Sequence, residues 1–261
     1  MNVAASPAPL RLEALYRYPV KGLSPERLDK VDLAAGAYFP GDRLFAVENG
    51  PSGFDPEAPT HQPKIKFLML MRHEALAQLD TRYESASGLL TIRQGGTVVA
   101  EGDLTTPEGR AVIEAFLAGY LPDAMRGPAR LLTAPEGYRF TDSPRGFVSL
   151  VNLASVAALE DMTGAAVDPL RFRANLYLSG LAPWAELDLV GRTLTAPGGV
   201  RLRVHKRTER CAATNVDPAT GQRDLAIPRT LSQHLGHTDC GVYAEVIAGG
   251  ELAAGATLAL A

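Results

Sequence analysis

Cysteine is almost missing from this chain. Only Cys211 and Cys240 occur among 261 residues. That is too few for a disulfide framework in a chain this long, and it suits a reducing compartment. An iron–sulfur cluster held by four cysteines is excluded on the same count. No Gly-x-Gly-x-x-Gly run leads from a strand into a helix, so a dinucleotide fingerprint is lacking. No stretch approaches the ~18 consecutive apolar residues of a membrane span. The opening MNVAASPAPLRLEALY lacks the basic start and apolar run of a secretory signal. The expectation is a cytoplasmic protein with no membrane partner. A basic excess is missing too: 26 Lys and Arg against 29 Asp and Glu leave a net charge of −3, which argues against a nucleic-acid partner. Internal repeats and low-complexity segments are absent.

What the chain does have is short strand patterns. A length of 261 residues allows one large or two modest domains, with enough core to need no covalent staples. Met1–Pro9 reads as a loose tail. Leu10–Tyr18 alternates as a strand, broken by Pro19-Val20-Lys21-Gly22. Leu28–Leu33 and Arg43–Val47 are short strands, and Glu48–Gln62 is a long Pro/Gly-rich loop placed to line an entrance. Phe67–Met71 predicts a buried strand, His73–Leu79 a short helix, and Leu89–Val99 a hairpin about Gly95-Gly96. Thr106–Tyr120 has a Thr cap, Pro at the first helical position and helical apolar spacing. Pro122, Gly127 and Pro128 mark a boundary, giving domains 1–125 and 126–261. Beyond it come strands Ala129–Ala134 and Phe147–Val151, a helix Asn152–Met162 ending at Gly164, and a strand Leu170–Leu178. A hairpin Leu194–Lys206, a helix Pro228–Gly236 and strands Val242–Ile247 and Thr257–Leu260 complete the chain. The class predicted is α+β, mainly β with short helices: a smaller β-barrel-like domain, then a second barrel.

The stretch with the most chemistry is VHKRTERCAATNVDPATGQRD, residues 204 to 224. A thiol attacks electrophiles or binds metal as thiolate, and nearby cations favour that form. Cys211 follows Lys206, Arg207 and Arg210, where a strand opens into a polar loop that turns at Asp217-Pro218 and Thr220-Gly221. A merely space-filling cysteine belongs in apolar surroundings, and this setting is polar. Elsewhere the residues leave alternatives open. Lys21 at its corner is by itself a solvated charge. Arg43 alone is an edge-strand arginine, Asn152 a helix cap, and Tyr243 half-buried packing. Arg171, Arg173 and Asn175 share a strand face by alternation, either a solvated edge or an anion- and amide-reading surface. His234, His237 and Cys240 at three-residue spacing invite zinc, but nothing supplies a fourth ligand. The two histidines suit a helix end at Gly236, and Cys240 suits packing.

Several of these stretches in register resemble one family. KRTERCAATNVDPATGQRD is similar to the cysteine motif of the MOSC domain, the C-terminal part of molybdenum cofactor sulfurases. LYRYPVKGLSPERL resembles the opening of the companion MOSC N-terminal barrel domain, and DPLRFRANLYLSG and GVYAEV follow in family order. The relatives include the amidoxime-reducing component and bacterial hydroxylaminopurine-resistance proteins. The resemblance implies a molybdenum–molybdopterin cofactor with Cys211 as metal ligand and catalytic centre. It implies cofactor contacts at Lys21, Gly22 (where relatives often have Ser), Arg43, Asn152, Ser155, Arg173, Asn175, Arg210 and Tyr243. It implies an oxidoreductase that reduces N-hydroxylated small molecules. The chain has no cluster or flavin motif of its own, so electrons would come from a separate ferredoxin- or flavin-type reductase. The alternative it leaves is a cofactor or sulfur carrier without turnover.

Overall fold

The computed structural model describes residues 9–143, 145 and 147–261; the expected tail, up to Ala8, lies outside the described residues. In chain order the strands are β1 (Arg11–Arg17), β2 (Glu26–Leu28), β3 (Lys30–Leu33) and β4 (Phe45–Glu48), then β5 (Leu79–Glu84), β6 (Leu89–Gln94) and β7 (Thr97–Asp103). Helix α1 (Pro107–Tyr120) and β8 (Arg130–Thr133) follow. The second half contains β9 (Phe147–Asn152), α2 (Leu153–Thr163), β10 (Leu176–Ser179), β11 (Thr193–Thr195), β12 (Arg201–Glu209), α3 (Ile227–Leu235), β13 (Asp239–Ala248), β14 (Gly250–Ala253) and β15 (Ala259–Leu260). The class is α+β, with strands dominant and helices few.

Local chemistry explains the helix limits. Thr106 Oγ1 accepts from Gly109 N at 3.1 Å at the start of α1, with Pro107 at the first helical position. Asn152 caps α2, and Gly164 closes it in the left-handed region at φ 69°. Because α2 crosses over from β9 to β10, those two strands pair in parallel.

The ladders do not follow the division read from chain order. The largest sheet runs β15-β11-β12-β13-β9-β10-β1-β2, so its last two strands come from the start of the chain. β3 pairs with β14, and β8 pairs with β4 across the 125/126 boundary. Only β5-β6-β7 stands as a separate three-stranded sheet, packed with α1 around Leu90, Ile92, Ile113 and Leu117. One face of the large sheet buries Leu12, Leu15, Leu150, Leu176, Leu202 and Val242. Each such side chain contributes about 1.5–3 kcal/mol through burial.

Two expected strands are different in the structure. Residues 67–71, buried as far as Leu70, are irregular and joined to β4 by a single bridge between Glu48 and Phe67. The segment expected as a strand from Leu170 begins as a 3-10 turn over Pro169–Phe172, and Arg173 adopts φ 51°. Asp168 Oδ1 accepts from Leu170 N at 2.8 Å, and with Pro169 it starts a turn in a sequence that alternates like a strand. Arg171, Arg173 and Asn175 therefore do not share one strand face.

Candidate cofactor site

The residues singled out around Cys211 meet at a cleft of about 440 Å³ between the start of the chain and the second half. Lys21 and Gly22 enter from the turn after β1, Arg43 from the turn before β4, and Arg173 from the turn before β10. Arg210 and Cys211 enter from the end of β12, and Tyr243 from β13. Nine lysines and arginines line the cleft against three aspartates and glutamates, in a chain whose overall charge is −3. A concave site with concentrated charge of one sign attracts the opposite charge.

Arginine packing at the base is unusual. Outside glycine, three described residues have positive φ, and two of them are Arg43 (47°) and Arg173 (51°). Left-handed backbone at such residues costs of order 1–3 kcal/mol and is held by its surroundings. Here both guanidiniums pack on Tyr18, a fully buried ring, Arg43 at 4.4 Å and Arg173 at 4.3 Å from its centre. Arg43 Nη1 donates to both Asp42 carboxylate oxygens at 2.6 Å, and its Nη2 to the Arg173 carbonyl at 3.1 Å. Burial pulls the Arg173 guanidinium down to about 10, with Arg43 beside it adding to the fall. Its Nη2 is buried without a hydrogen-bond partner among the described residues, as are Arg210 Nη2 and Thr208 Oγ1.

Lys21 is nine-tenths buried. Its Nζ donates to Phe140 O at 3.0 Å and to Asp142 Oδ1 at 2.5 Å. Burial lowers its pKa, and the Asp142 carboxylate only partly offsets that. Asp142 itself is held well below its ordinary range: burial pushes it up, and Lys21 and Lys64 outweigh burial. Gly22 has φ 85°, and a Cβ there would sit 2.9 Å from the Leu68 carbonyl. Glycine at this position is a requirement of this backbone and not only an exchange for serine.

Cys211 is half-buried, at the entry of a 3-10 turn over Ala212–Asn215. Lys64, which sequence reading did not single out, stands beside it at the end of the long loop. Lys64 lies 3.7 Å from Asp142 Oδ2. Burial lowers its pKa, and Asp142 together with the Cys211 thiol reverses the shift to a net rise. The signal available in the sequence was the lysine closing a loop already read as an entrance.

Two expected contacts lie elsewhere. Asn152 and Ser155 are fully buried at the N-terminus of α2, outside the cleft. The anion at this helix end is the chain's own: Glu186 accepts from Ser155 Oγ at 2.7 Å, Asn152 Nδ2 at 3.1 Å and Gly241 N at 3.2 Å. Asn175 lines the cleft but is engaged as a strut. Its Oδ1 accepts from Ser149 N and Oγ, and its Nδ2 donates to Tyr16 O. Arg210 Nε donates to Cys240 O at 2.6 Å and Nη1 to Phe172 O at 3.0 Å. Tyr243 lies under Lys206 Nζ at 5.5 Å.

Residues 9–118 match the model of the MOSC N-terminal beta barrel domain, and residues 137–259 match the MOSC domain. The chain is a MOSC-domain protein. MOSC domains are associated as a family with binding of the molybdenum cofactor. Among solved structures this MOSC protein is similar to the YuaD protein from Bacillus subtilis, with 14% identity over 97% of this chain and 96% of that one and a TM-score of 0.46. It is also similar to YiiM from Geobacillus stearothermophilus, with 21% identity over 44% of this chain and 53% of that one and a TM-score of 0.35. No curated protein matches it. Among the described residues no helix is long and apolar enough to cross a membrane.

The residues present fit the family's cofactor. A pterin phosphate presents an anion, and the cleft holds buried guanidinium donors without partners among the described residues. A molybdenum centre takes a soft thiolate donor, and Cys211 stands at the same cleft.

Proposed function

We propose that this MOSC protein is a molybdenum-cofactor-dependent oxidoreductase that reduces N-hydroxylated compounds with electrons from a separate redox protein. The observation that carries the reading is the meeting, in one cleft, of a half-buried thiol with two guanidiniums, Arg173 and Arg210, each with a buried Nη2 that has no partner among the described residues. When bound, the cofactor supplies two-electron oxygen-atom transfer. The chain's part is to hold and orient it. Arg43 and Arg173, locked on Tyr18, give a rigid pair of cations for the phosphate end. Charge-assisted bonds of this kind contribute roughly 1.5–3 kcal/mol each. Lys21 adds a buried ammonium beside them, and Gly22 lets backbone approach closely. Arg210 and Cys211 line the same cleft, where Arg210 would face the cofactor and Cys211 would hold the metal. Tyr243 walls the site from β13.

Electrons need a second protein because the sequence carries neither a cluster motif nor a nucleotide fingerprint. The partner docks near the Cys211 loop, where the path to the metal is short. The test loads purified protein with cofactor and supplies an amidoxime with each donor in turn. The expected result is turnover with a chemical reductant, none with NADH alone, and NADH-dependent turnover once a ferredoxin- or flavin-type reductase is added. Rapid turnover with NADH and no second protein contradicts the partner. Full molybdenum occupancy without turnover under any donor replaces the oxidoreductase with a carrier.

A further inference from the structure

The Cys211 loop belongs to the second half by sequence, yet it is also tied to the first. Arg223 sits on its returning side, joined to Val216 through an isolated bridge. Its Nη1 donates to the carbonyl of Ala212, the residue after the thiol, at 3.1 Å. Its Nη2 crosses to the first half and donates to the carbonyls of Leu70 (3.1 Å) and Met71 (2.8 Å) and to Glu74 Oε2 (3.0 Å). Leu70 and Met71 line the same cleft as the thiol. A planar guanidinium with donors on both edges can serve two such groups at once; an ammonium cannot span them. From the other side Arg171, with 1% of its side chain exposed, grips Asp217 and Asp224 of the same loop. That contact stays within the second half. Arg223 instead joins the backbone beside Cys211 to the half that supplies Lys21 and Lys64.

We propose that Arg223 is the positioning residue of this site. It fixes the Cys211 thiol, carried by one half, against the cations carried by the other. The guanidinium is 31% exposed, so its removal leaves no deep cavity. The metal arm of the test below rests on the reading of Cys211 as ligand; the thiol arm does not.

Arg223→Met and Arg223→Lys are made in the full chain, with Arg110→Met as control. Arg110 also donates to a carbonyl, Leu104 O at 2.8 Å, but from α1 and outside the cleft. The first readout is the alkylation rate of cofactor-free protein with iodoacetamide. It reports Cys211 alone, because Cys240 has no exposed surface. Loss of the tie opens the loop, so Arg223→Met is expected to react about threefold faster or more, with Arg223→Lys between it and the parent. The second readout is the molybdenum(V) resonance of loaded protein, expected to shift in Arg223→Met and not in Arg110→Met. Alkylation at the parent rate in Arg223→Met overturns the proposal. So does an equal change in Arg110→Met, which would make the effect one of general stability. If the parent takes up no molybdenum, the proposed function fails while the alkylation comparison still decides this inference.

Discussion

Cys211 and Cys240 lie at the joined ends of two paired strands, and their surroundings are opposite. Glu209 of β12 pairs with Asp239 of β13, so one cysteine falls just beyond the pair and the other just inside it. Cys211 turns into the cleft among cations. Cys240 turns into the apolar core between the sheet and the helices, against Val156, Leu159, Ile227 and Leu231. Burial pushes its thiol up to about 12, with Arg210 pulling it back only in part. Arg210 stands between them, its Nε on the Cys240 carbonyl. Strand register thus separates a thiol that lines the cleft from one sealed in the core within a few residues. The difference also disposes of the histidine–cysteine spacing. Cys240 is in the core and His237 Nδ1 accepts from Asp239 N, and no metal-capable trio forms among the described residues.

The largest expected contrast is in activity. Cys211→Ser should lower kcat by about a hundredfold or more, about 2.7 kcal/mol at 1.36 kcal/mol per decade, with the fold intact. Cys240→Ser should keep kcat but lose about 1–3 kcal/mol of stability, because it buries a hydroxyl in apolar surroundings. The packing role that the sequence suggests for Cys240 would by itself make that second change nearly silent; the fully buried site makes it costly. Steady-state kinetics beside denaturant titration checks both, and reversed roles would break the comparison.

Lys21→Ala sharpens the view of the cleft. On sequence grounds an exposed lysine contributes little to folding, and its loss would weaken cofactor retention more than stability. In the structure its loss leaves the Phe140 carbonyl and Asp142 without their ammonium. Pterin content should fall, and stability should fall with it by about 1–3 kcal/mol. Pterin content and urea midpoint are measured together, and retention equal to the parent would remove Lys21 from the cradle.

The two remaining contrasts are in pH. The folded pKa of Asp142 lies below its ordinary 3.8. Its contribution is therefore in place above that pH and is lost as pH falls further. Asp142→Asn should flatten the acid side of the stability profile. Cys240 is the reverse case, with a folded pKa near 12 against an ordinary 9.0. Its contribution is complete below pH 9 and is lost as pH rises from 9.0 toward 12. Cys240→Ala should remove that alkaline decline, the smallest effect of the set, and an unchanged slope would sink the assignment.

Features legible in the sequence were those decided by neighbours along the chain. Thr106-Pro107 set the start of α1, Gly95-Gly96 the hairpin β6–β7, and the polar run after Arg210 the loop of Cys211. Family resemblance added Lys21 and Arg43, which no local pattern distinguishes from surface charge. What stayed hidden depends on groups distant in sequence. Glu186 supplies the carboxylate that takes Asn152 and Ser155, so their helix end is already satisfied. Lys64 meets Cys211 only through folding. The turn at Asp168-Pro169 was masked by residues that alternate as a strand does, and side-chain capping outweighed the alternation.

The pairing of β1 with β10, and of β3 with β14, has a consequence for biogenesis. Residues 11–33 are made well before their partners at 176–179 and 250–253. Until then β1 has only the short β2 beside it, along Leu15–Arg17, and its other edge has no ladder to join. Loops this long must close before the contacts they enable can form, which slows folding. Only the β5–β7 sheet with α1 is complete early in synthesis. The nascent chain thus carries a strand with one open edge through most of its translation, a feature that exposes it to aggregation until β10 is made.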